Sequence, residues 1–296
     1  MLTLALEGAL KKSCHDPELL EVMNYAVFPA GKLFRPRLVE AIALDINKSL
    51  SNDHLHLATA VELHHAYTLV HDDLPAMDND MFRRGKPSTH AYFGEWKAIL
   101  AGDALLISSF NELNKINHPN YRLINRFMSW STGAKGLIEG QFRDLAANGN
   151  LDISSVVRIH ELKTGRLIQL ATLGSYLLSD NTDFRGKIEF LRLGKEIGVC
   201  FQLLDDLSDL TSSEVSQHEA KINPFIYSSE EALRVLNQSH LRLKKIIARY
   251  KLNHVDKMIK DYFLSNQKTL ISNFTELDKN IGNHNPNLKD WITSFV

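Results

Sequence analysis

The chain has 296 residues, with 34 Lys and Arg against 35 Asp and Glu, and a net charge of −1 near neutral pH. That balance argues against a general affinity for nucleic acid or for an anionic membrane, so electrostatic recognition must be local. The length allows one large domain or two ordinary ones, and no run reaches the roughly 18 apolar residues of a spanning helix.

The opening MLTLALEGALKK places its two lysines after a short apolar stretch and not before it, so no export signal is read and a soluble, cytoplasmic protein is expected. Cys14 and Cys200 have neither metal nor redox spacing and read as two reduced thiols. Glycine and proline are sparse. Between them apolar residues recur at three and four positions, which predicts an all-α chain with almost no strand.

The spacing predicts a helix over 55–71, where Leu57, Ala58, Ala60, Val61, Leu63, Ala66, Leu69 and Val70 leave little polar face, as in a helix surrounded by others. It ends in HDDLPAMDND. Asp152 is an expected N-cap for a segment carrying Val156, Ile159 and Leu162. Gly165 inside that segment costs about 1 kcal/mol relative to Ala and points to a purposeful kink. A second apolar helix is predicted over 188–207, ending in FQLLDDLSD. Ser228 and Glu231 have capping-box spacing before an amphipathic helix through Leu233, Leu236, Leu243 and Ile247. The most loop-like stretches, 147–150, 211–220 and 280–287, do not resemble interdomain linkers, so a single domain over 1–296 is expected.

The two aspartate clusters carry the chemistry. On an unbroken helix Asp72 and Asp78 would be rotated by about 600° and face different ways, but Pro75 makes continuation unfavourable and a turn lets both address one point. Asp205 and Asp209 are four apart on one helix face, with Asp206 on the neighbouring face. Two carboxylates about 6 Å apart repel by about 3 kcal/mol at an effective dielectric of 20, so several gathered at apolar helix ends call for hard cations. Without His or Cys nearby the donor set favours Mg2+, which completes its shell with waters and substrate phosphates. Each cluster alone is equally consistent with a solvated helix terminus. Two basic stretches point the same way: GKLFRPR with Lys32, Arg35 and Arg37, and MFRRGKPSTH with Arg83, Arg84 and Lys86, since arginine forks match phosphate oxygens.

Six segments in order, GKLFRP (31–36), HAYTLVHDDLPAMDNDMFRRGKPSTH (65–90), AGDALL (101–106), GQFRDL (140–145), KTGRLI (163–168) and FQLLDD (201–206), resemble the trans-prenyltransferases (polyprenyl synthetases), most closely the bacterial farnesyl diphosphate synthase type. The resemblance implies an isoprenoid-synthase helical bundle around a deep central cavity and a homodimer. It implies condensation of isopentenyl diphosphate with dimethylallyl and geranyl diphosphate to farnesyl diphosphate through an allylic carbocation. Three Mg2+ ions would be held by Asp72, Asp78 and Asp205, with Asp73, Asp206 and Asp209 beside them or acting through water. Arg83, Lys163 and Lys221 would contact the allylic diphosphate. Lys32, Arg35, His65 and Arg84 would bind isopentenyl diphosphate. Lys163, Thr164 and Gln202 would aim oxygens at the cation from a helix break.

His65 lies two turns before Asp72 on the same side of its helix, although a lone histidine is more often a satisfied core residue. Tyr67 and Thr68 fall about 6 to 8 Å below the aspartates, where an aromatic would floor the growing chain or simply fill the core. Three departures stand out. The family's GGKRxRP is AGKLFRP here, with Leu33 in place of an arginine. The Gly- and Lys-rich segment after the second cluster is shortened to LTSSEVSQHEAKINPF, and LKDWITSFV lacks the basic ending common in the family. A cyclase would have no use for Lys32, Arg35 and Arg84, and a non-catalytic subunit would be expected to have lost aspartates. A longer- or shorter-chain synthase remains the alternative, with a catalytically weak regulatory subunit behind it.

Overall fold

The computed structural model describes residues 1–147, 149, 151–213, 215, 222–281 and 288–294 and is helical nearly throughout. The helices of the first half are α1 (Leu2–Ser13), α2 (Pro17–Val27), α3 (Phe34–Ile46), α4 (Asn52–Asp72), α5 (Thr89–Phe93), α6 (Glu95–Leu113) and α7 (Tyr121–Thr132). After them come α8 (Leu137–Leu145), α9 (Ile153–His160), a π-helical turn (Glu161–Gly165), α10 (Arg166–Leu177) and α11 (Phe184–Asp209). The last are α12 (Pro224–Tyr227), α13 (Ser229–Tyr250), α14 (Asn253–Ser272), α15 (Phe274–Ile281) and α16 (Leu288–Ser294). Among the described residues the only strands are β1 (Phe82–Arg83) and β2 (Lys86–Pro87), paired antiparallel. The chain folds into two compact units, Met1–Met128 with Leu170–Thr182, and Ser129–Gln169 with Asp183–Val296.

In the first unit α4 packs chiefly on α6 and α3. Its start is fixed by Ser51, whose hydroxyl accepts from the His54 amide at 3.3 Å and satisfies one of the orphan N–H groups of the first turn. Leu57, Val61 and Leu63 are fully buried, and each such side chain contributes about 1.5–3 kcal/mol on removal from water. Near the Asp-rich end, Leu63, Ala66, Tyr67 and Val70 meet Leu6, Leu10, Met23, Ala101 and Leu105 in one cluster. The aspartates thus follow directly on a helix segment anchored in this cluster.

In the second unit α11 packs on α13 and on the π turn, and the π turn also packs on α8. Asp183 caps α11, accepting from the Gly186 amide at 2.6 Å. Asp152 caps α9 as expected, accepting from the Ser155 amide at 2.7 Å. The kink inferred at Gly165 takes the form of a π turn, a one-residue irregularity in the hydrogen-bond ladder. Ser228 does sit at the N-cap of α13, but its side chain makes no capping bond, so the capping box does not form. Its backbone, at φ −146° and ψ 48°, continues from α12, which ends one residue earlier. Most of the expected loop at 211–220, part of 147–150 and nearly all of 280–287 lie outside the described residues; Asn280 and Ile281 belong to α15.

Candidate active site

In the first unit α4 stops at Asp72. Pro75 has no N–H to continue the ladder, and the Asp73 amide closes the helix by donating to the Leu69 and His71 carbonyls. The chain then turns back, so that the Asp78 amide donates to the Asp72 carbonyl at 2.9 Å and the Asn79 amide to that of Leu74 at 3.1 Å. Asn79 takes φ +58°, a left-handed conformation that Asn tolerates. Asp72 is half-buried and Asp78 exposed. Asp73 is different: it is buried and accepts both Nε (2.9 Å) and Nη2 of Arg83. Arg83 also bridges to Asp80 at 2.8 Å. The guanidinium expected at the allylic diphosphate is thus already occupied by two carboxylates.

The two basic stretches come together beside α4. Arg84 and Gly85, with φ +55° and +78°, form the two-residue loop of the β1–β2 hairpin, the left-handed pair of a type I′ turn. Lys86 latches this hairpin to the end of α2, donating to the carbonyls of Tyr25 (2.5 Å) and Phe28 (2.6 Å) with its ammonium 3.6 Å from the Tyr25 ring centroid. Tyr25 returns a bond from its hydroxyl to the Pro87 carbonyl at 2.8 Å. The Arg84 guanidinium consequently lies against Gly31, where an added Cβ would meet it at 2.8 Å, and reaches the Pro29 carbonyl at 3.4 Å. Lys32 is exposed and Arg35 half-buried.

His65 faces this cluster. Burial holds its imidazole neutral well below the usual range, and the charges of Arg35, Arg84 and Arg83 act in the same direction. Glu62, one turn earlier on α4, is buried, and burial raises its carboxyl to about 7 while Arg35 and Arg84 oppose the rise. Glu62 went unnoticed in the sequence. Its signal was a charged residue on an otherwise apolar helix, three positions from His65. Tyr67 is buried between His64, edge-on at 4.6 Å, and His71 at 5.6 Å. Burial, and next the Asp72 carboxylate, raise its phenol to about 12. The Thr68 hydroxyl is turned onto the His65 carbonyl at 2.8 Å.

In the second unit the FQLLDDLSD end of α11 divides the same way. Asp205 and Asp209 are exposed, while Asp206 is buried with a carboxylate oxygen 3.5 Å from His160 Nε2. Burial lowers His160 to about 4, with Asp144 raising it and Lys163 lowering it. Gln202, one turn before Asp205 or Asp206, is half-buried. Lys163 in the π turn is paired with Asp144 of α8 at 2.6 Å, and Thr164 is buried beside it. Asp144 and His160 are the residues whose roles were not read from sequence, although Asp144 lies within the GQFRDL segment. Lys221 lies outside the described residues.

In each cluster, then, the second aspartate is the buried one, while the others are exposed or, for Asp72, half-buried. Among the described residues no group of three or more His, Cys, Asp or Glu is gathered closely enough to hold a metal alone. The remaining donors, half-buried Asp72 with exposed Asp78, and exposed Asp205 with Asp209, are all carboxylate oxygens. That set fits a hard divalent cation which takes one or two carboxylates and fills its shell with phosphate and water.

Residues 16–222 match the family model described as polyprenyl synthetase, and the chain belongs to that family. It is 37% identical to the farnesyl diphosphate synthase of Bacillus subtilis (strain 168) over 219 residues, covering 71% of this chain and 70% of that protein. It is also 37% identical over 218 residues to the geranylgeranyl diphosphate synthase of Cyanophora paradoxa, covering 71% and 72%. A geranyltransferase structure from Legionella pneumophila superposes with a TM-score of 0.79 at 28% identity over 92% of this chain and 94% of that one. The fold class is therefore the helical prenyl synthase fold, and no helix among the described residues is long and apolar enough to cross a membrane.

Proposed function

We propose that this chain is a cytoplasmic, homodimeric farnesyl diphosphate synthase that condenses isopentenyl diphosphate with dimethylallyl and then geranyl diphosphate. The observation that carries the reading is that one helix, α4, carries both His65, which faces the arginines Arg35 and Arg84, and, two turns on, Asp72, to whose carbonyl the Asp78 amide is folded back. A cyclase acting on one diphosphate would need only the second.

Asp72, Asp78, Asp205 and Asp209 are the groups that would hold Mg2+, with Asp73 and Asp206 supporting them through Arg83 and His160. Bound there, Mg2+ would supply the positive charge that stabilises a departing diphosphate. Lys163, held by Asp144, and Arg83, held by Asp73 and Asp80, would turn their remaining N–H groups to the allylic diphosphate, and Lys221 of the same set lies outside the described residues. Lys32, Arg35 and Arg84 bind the second diphosphate without metal, and His65, kept neutral, donates a hydrogen bond without adding charge. Thr164 and Gln202 present oxygens toward the developing carbocation, which needs no protein nucleophile. The double bond of isopentenyl diphosphate attacks the allylic carbon, and the released diphosphate takes the final proton.

Tyr67 below Asp72 supports a fifteen-carbon product. A twenty-carbon product is the second reading, favoured by the equal similarity to the Cyanophora enzyme. The exposed stripe Trp96, Ile99, Leu100 and Ile107 along α6 supports the homodimer. Pure protein incubated with Mg2+, isopentenyl diphosphate and dimethylallyl or geranyl diphosphate should yield farnesyl diphosphate. Absence of any prenyl elongation would end the proposal, and geranylgeranyl diphosphate as main product would select the second reading.

A further inference from the structure

The π turn is pressed by two glycines from two helices. A Cβ added at Gly140 of α8 would come within 2.3 Å of the Lys163 amide nitrogen and 2.7 Å of the Leu162 carbonyl carbon. One added at Gly198 of α11 would come within 2.7 Å of Gly165 Cα. Both obstacles are backbone of the turn, so neither can swing aside. A Cβ at Gly165 itself would find nothing nearer than 3.6 Å, so the demand for glycine lies in the flanking helices and not in the kink. Gly140 and Gly198 have no positive φ, which leaves close approach as the reason for glycine there. Side chains secure the same turn: Glu161 meets Lys195 at 3.2 Å and Arg158 and Arg166 at 3.5 Å, and Lys163 meets Asp144 at 2.6 Å.

We infer that Gly140 and Gly198 are positioning residues of the condensation, an inference that rests on the prenyl synthase reading above. Their missing side chains let α8 and α11 close on the π turn, and this closure sets where Lys163 and Thr164 present their polar atoms. A π turn interrupts the i to i−4 ladder and frees backbone oxygen, but an irregular turn is useful only if its position is fixed. Displacement by about 1 Å at a reacting centre can cost about a hundredfold in rate.

The experiment compares wild type with Gly140→Ala, Gly198→Ala and Gly174→Ala. Gly174 serves as the control for tight packing elsewhere, because its Cβ would meet the Leu57 side chain at 2.9 Å. Per folded molecule, kcat should fall about tenfold or more in the Gly140 and Gly198 variants, with KM for isopentenyl diphosphate within about twofold of wild type. The Gly174 variant should keep its kcat while losing thermal stability. Wild-type kcat in both test variants, or an equal loss in the control, overturns the inference. If neither test variant folds, amide exchange of the wild type decides: protection at 162–166 matching that of α10 supports a clamped turn, and exchange as fast as at a fraying helix end overturns it. A wild type that performs no condensation defeats the functional reading directly, and the inference falls with it; that result is distinct from any difference among variants.

Discussion

The amide of Asp78 donates to the carbonyl of Asp72 at 2.9 Å, closing a turn that brings together two residues an unbroken helix would hold on different faces. The turn brings both residues to one end of α4, as the proposed metal site requires. Because Asp78 is exposed, Asp78→Asn should leave the melting temperature unchanged while lowering condensation by about two orders of magnitude. Steady-state rates and a thermal melt on the same preparation check this; undiminished turnover would remove Asp78 from the site.

Asp73 plays the opposite part. It is buried against Arg83, whose side chain is 34% exposed, so the pair is shielded on one side only. Asp73→Asn should cost about 1–2 kcal/mol, since the guanidinium loses its charged acceptor where water cannot fully replace it. Urea unfolding measures this, and an unchanged midpoint would show that the bond is not stabilising. Arg83→Lys should not preserve stability, because an ammonium cannot supply the two-pronged contact.

Lys86 touches the protein and not the proposed ligand. Removing its ammonium with Lys86→Met would free the hairpin from the carbonyls of Tyr25 and Phe28 and let Arg84 drift from Gly31. The expected result is an increase of about tenfold in KM for isopentenyl diphosphate, with a smaller change for the allylic substrate. Equal effects on both would argue that the latch supports the whole fold.

Glu62 makes stability depend on pH in an unusual direction. Burial raises its carboxyl in the folded protein from an ordinary 4.5 to about 7, so between those values the folded state binds the extra proton. Stability from this group is present below about pH 4.5 and is lost as pH rises toward 7. At about 1.4 kcal/mol for each tenfold change in proton concentration across that range, the loss is roughly 3–4 kcal/mol. Glu62→Gln should abolish that slope in unfolding free energies measured at pH 5 and 8; a parallel pH dependence in the variant would assign the slope to another group.

Tyr67→Ala removes the ring beneath Asp72 and should shift products beyond fifteen carbons. Chromatography of the reaction products gives the answer. An unchanged chain length would leave Tyr67 as core packing alone.

Much of this was legible in the sequence because apolar spacing at three and four positions is a local signal. It marked α4, α9 and α11 and the Asp152 cap, and Pro75 marked the turn. The carboxylates and the two basic stretches were legible as residue types whose charge needs a partner. What escaped was partner choice. Ser228 and Glu231 had the spacing of a capping box, yet the backbone leaving α12 holds Ser228 where no capping bond forms. Glu62 looked like any polar residue on a helix until burial next to Arg35 and Arg84 changed its chemistry.

By itself, then, the sequence determined that the chain is helical, that its acidic residues collect at the ends of apolar helices, and that arginines follow the first of these. Periodicity and charge count are properties of neighbouring residues, and a chain carries them before it folds. Only the tertiary structure decided that Asp73 and Asp206 are buried while Asp78, Asp205 and Asp209 stay exposed, that Lys86 ties its hairpin to the end of α2, and that Gly140 and Gly198 press on one turn. Those outcomes depend on which side chains burial brings within 3 to 4 Å, and desolvation makes the choice: a buried charge must find a partner in the protein, while an exposed one keeps its contact with water.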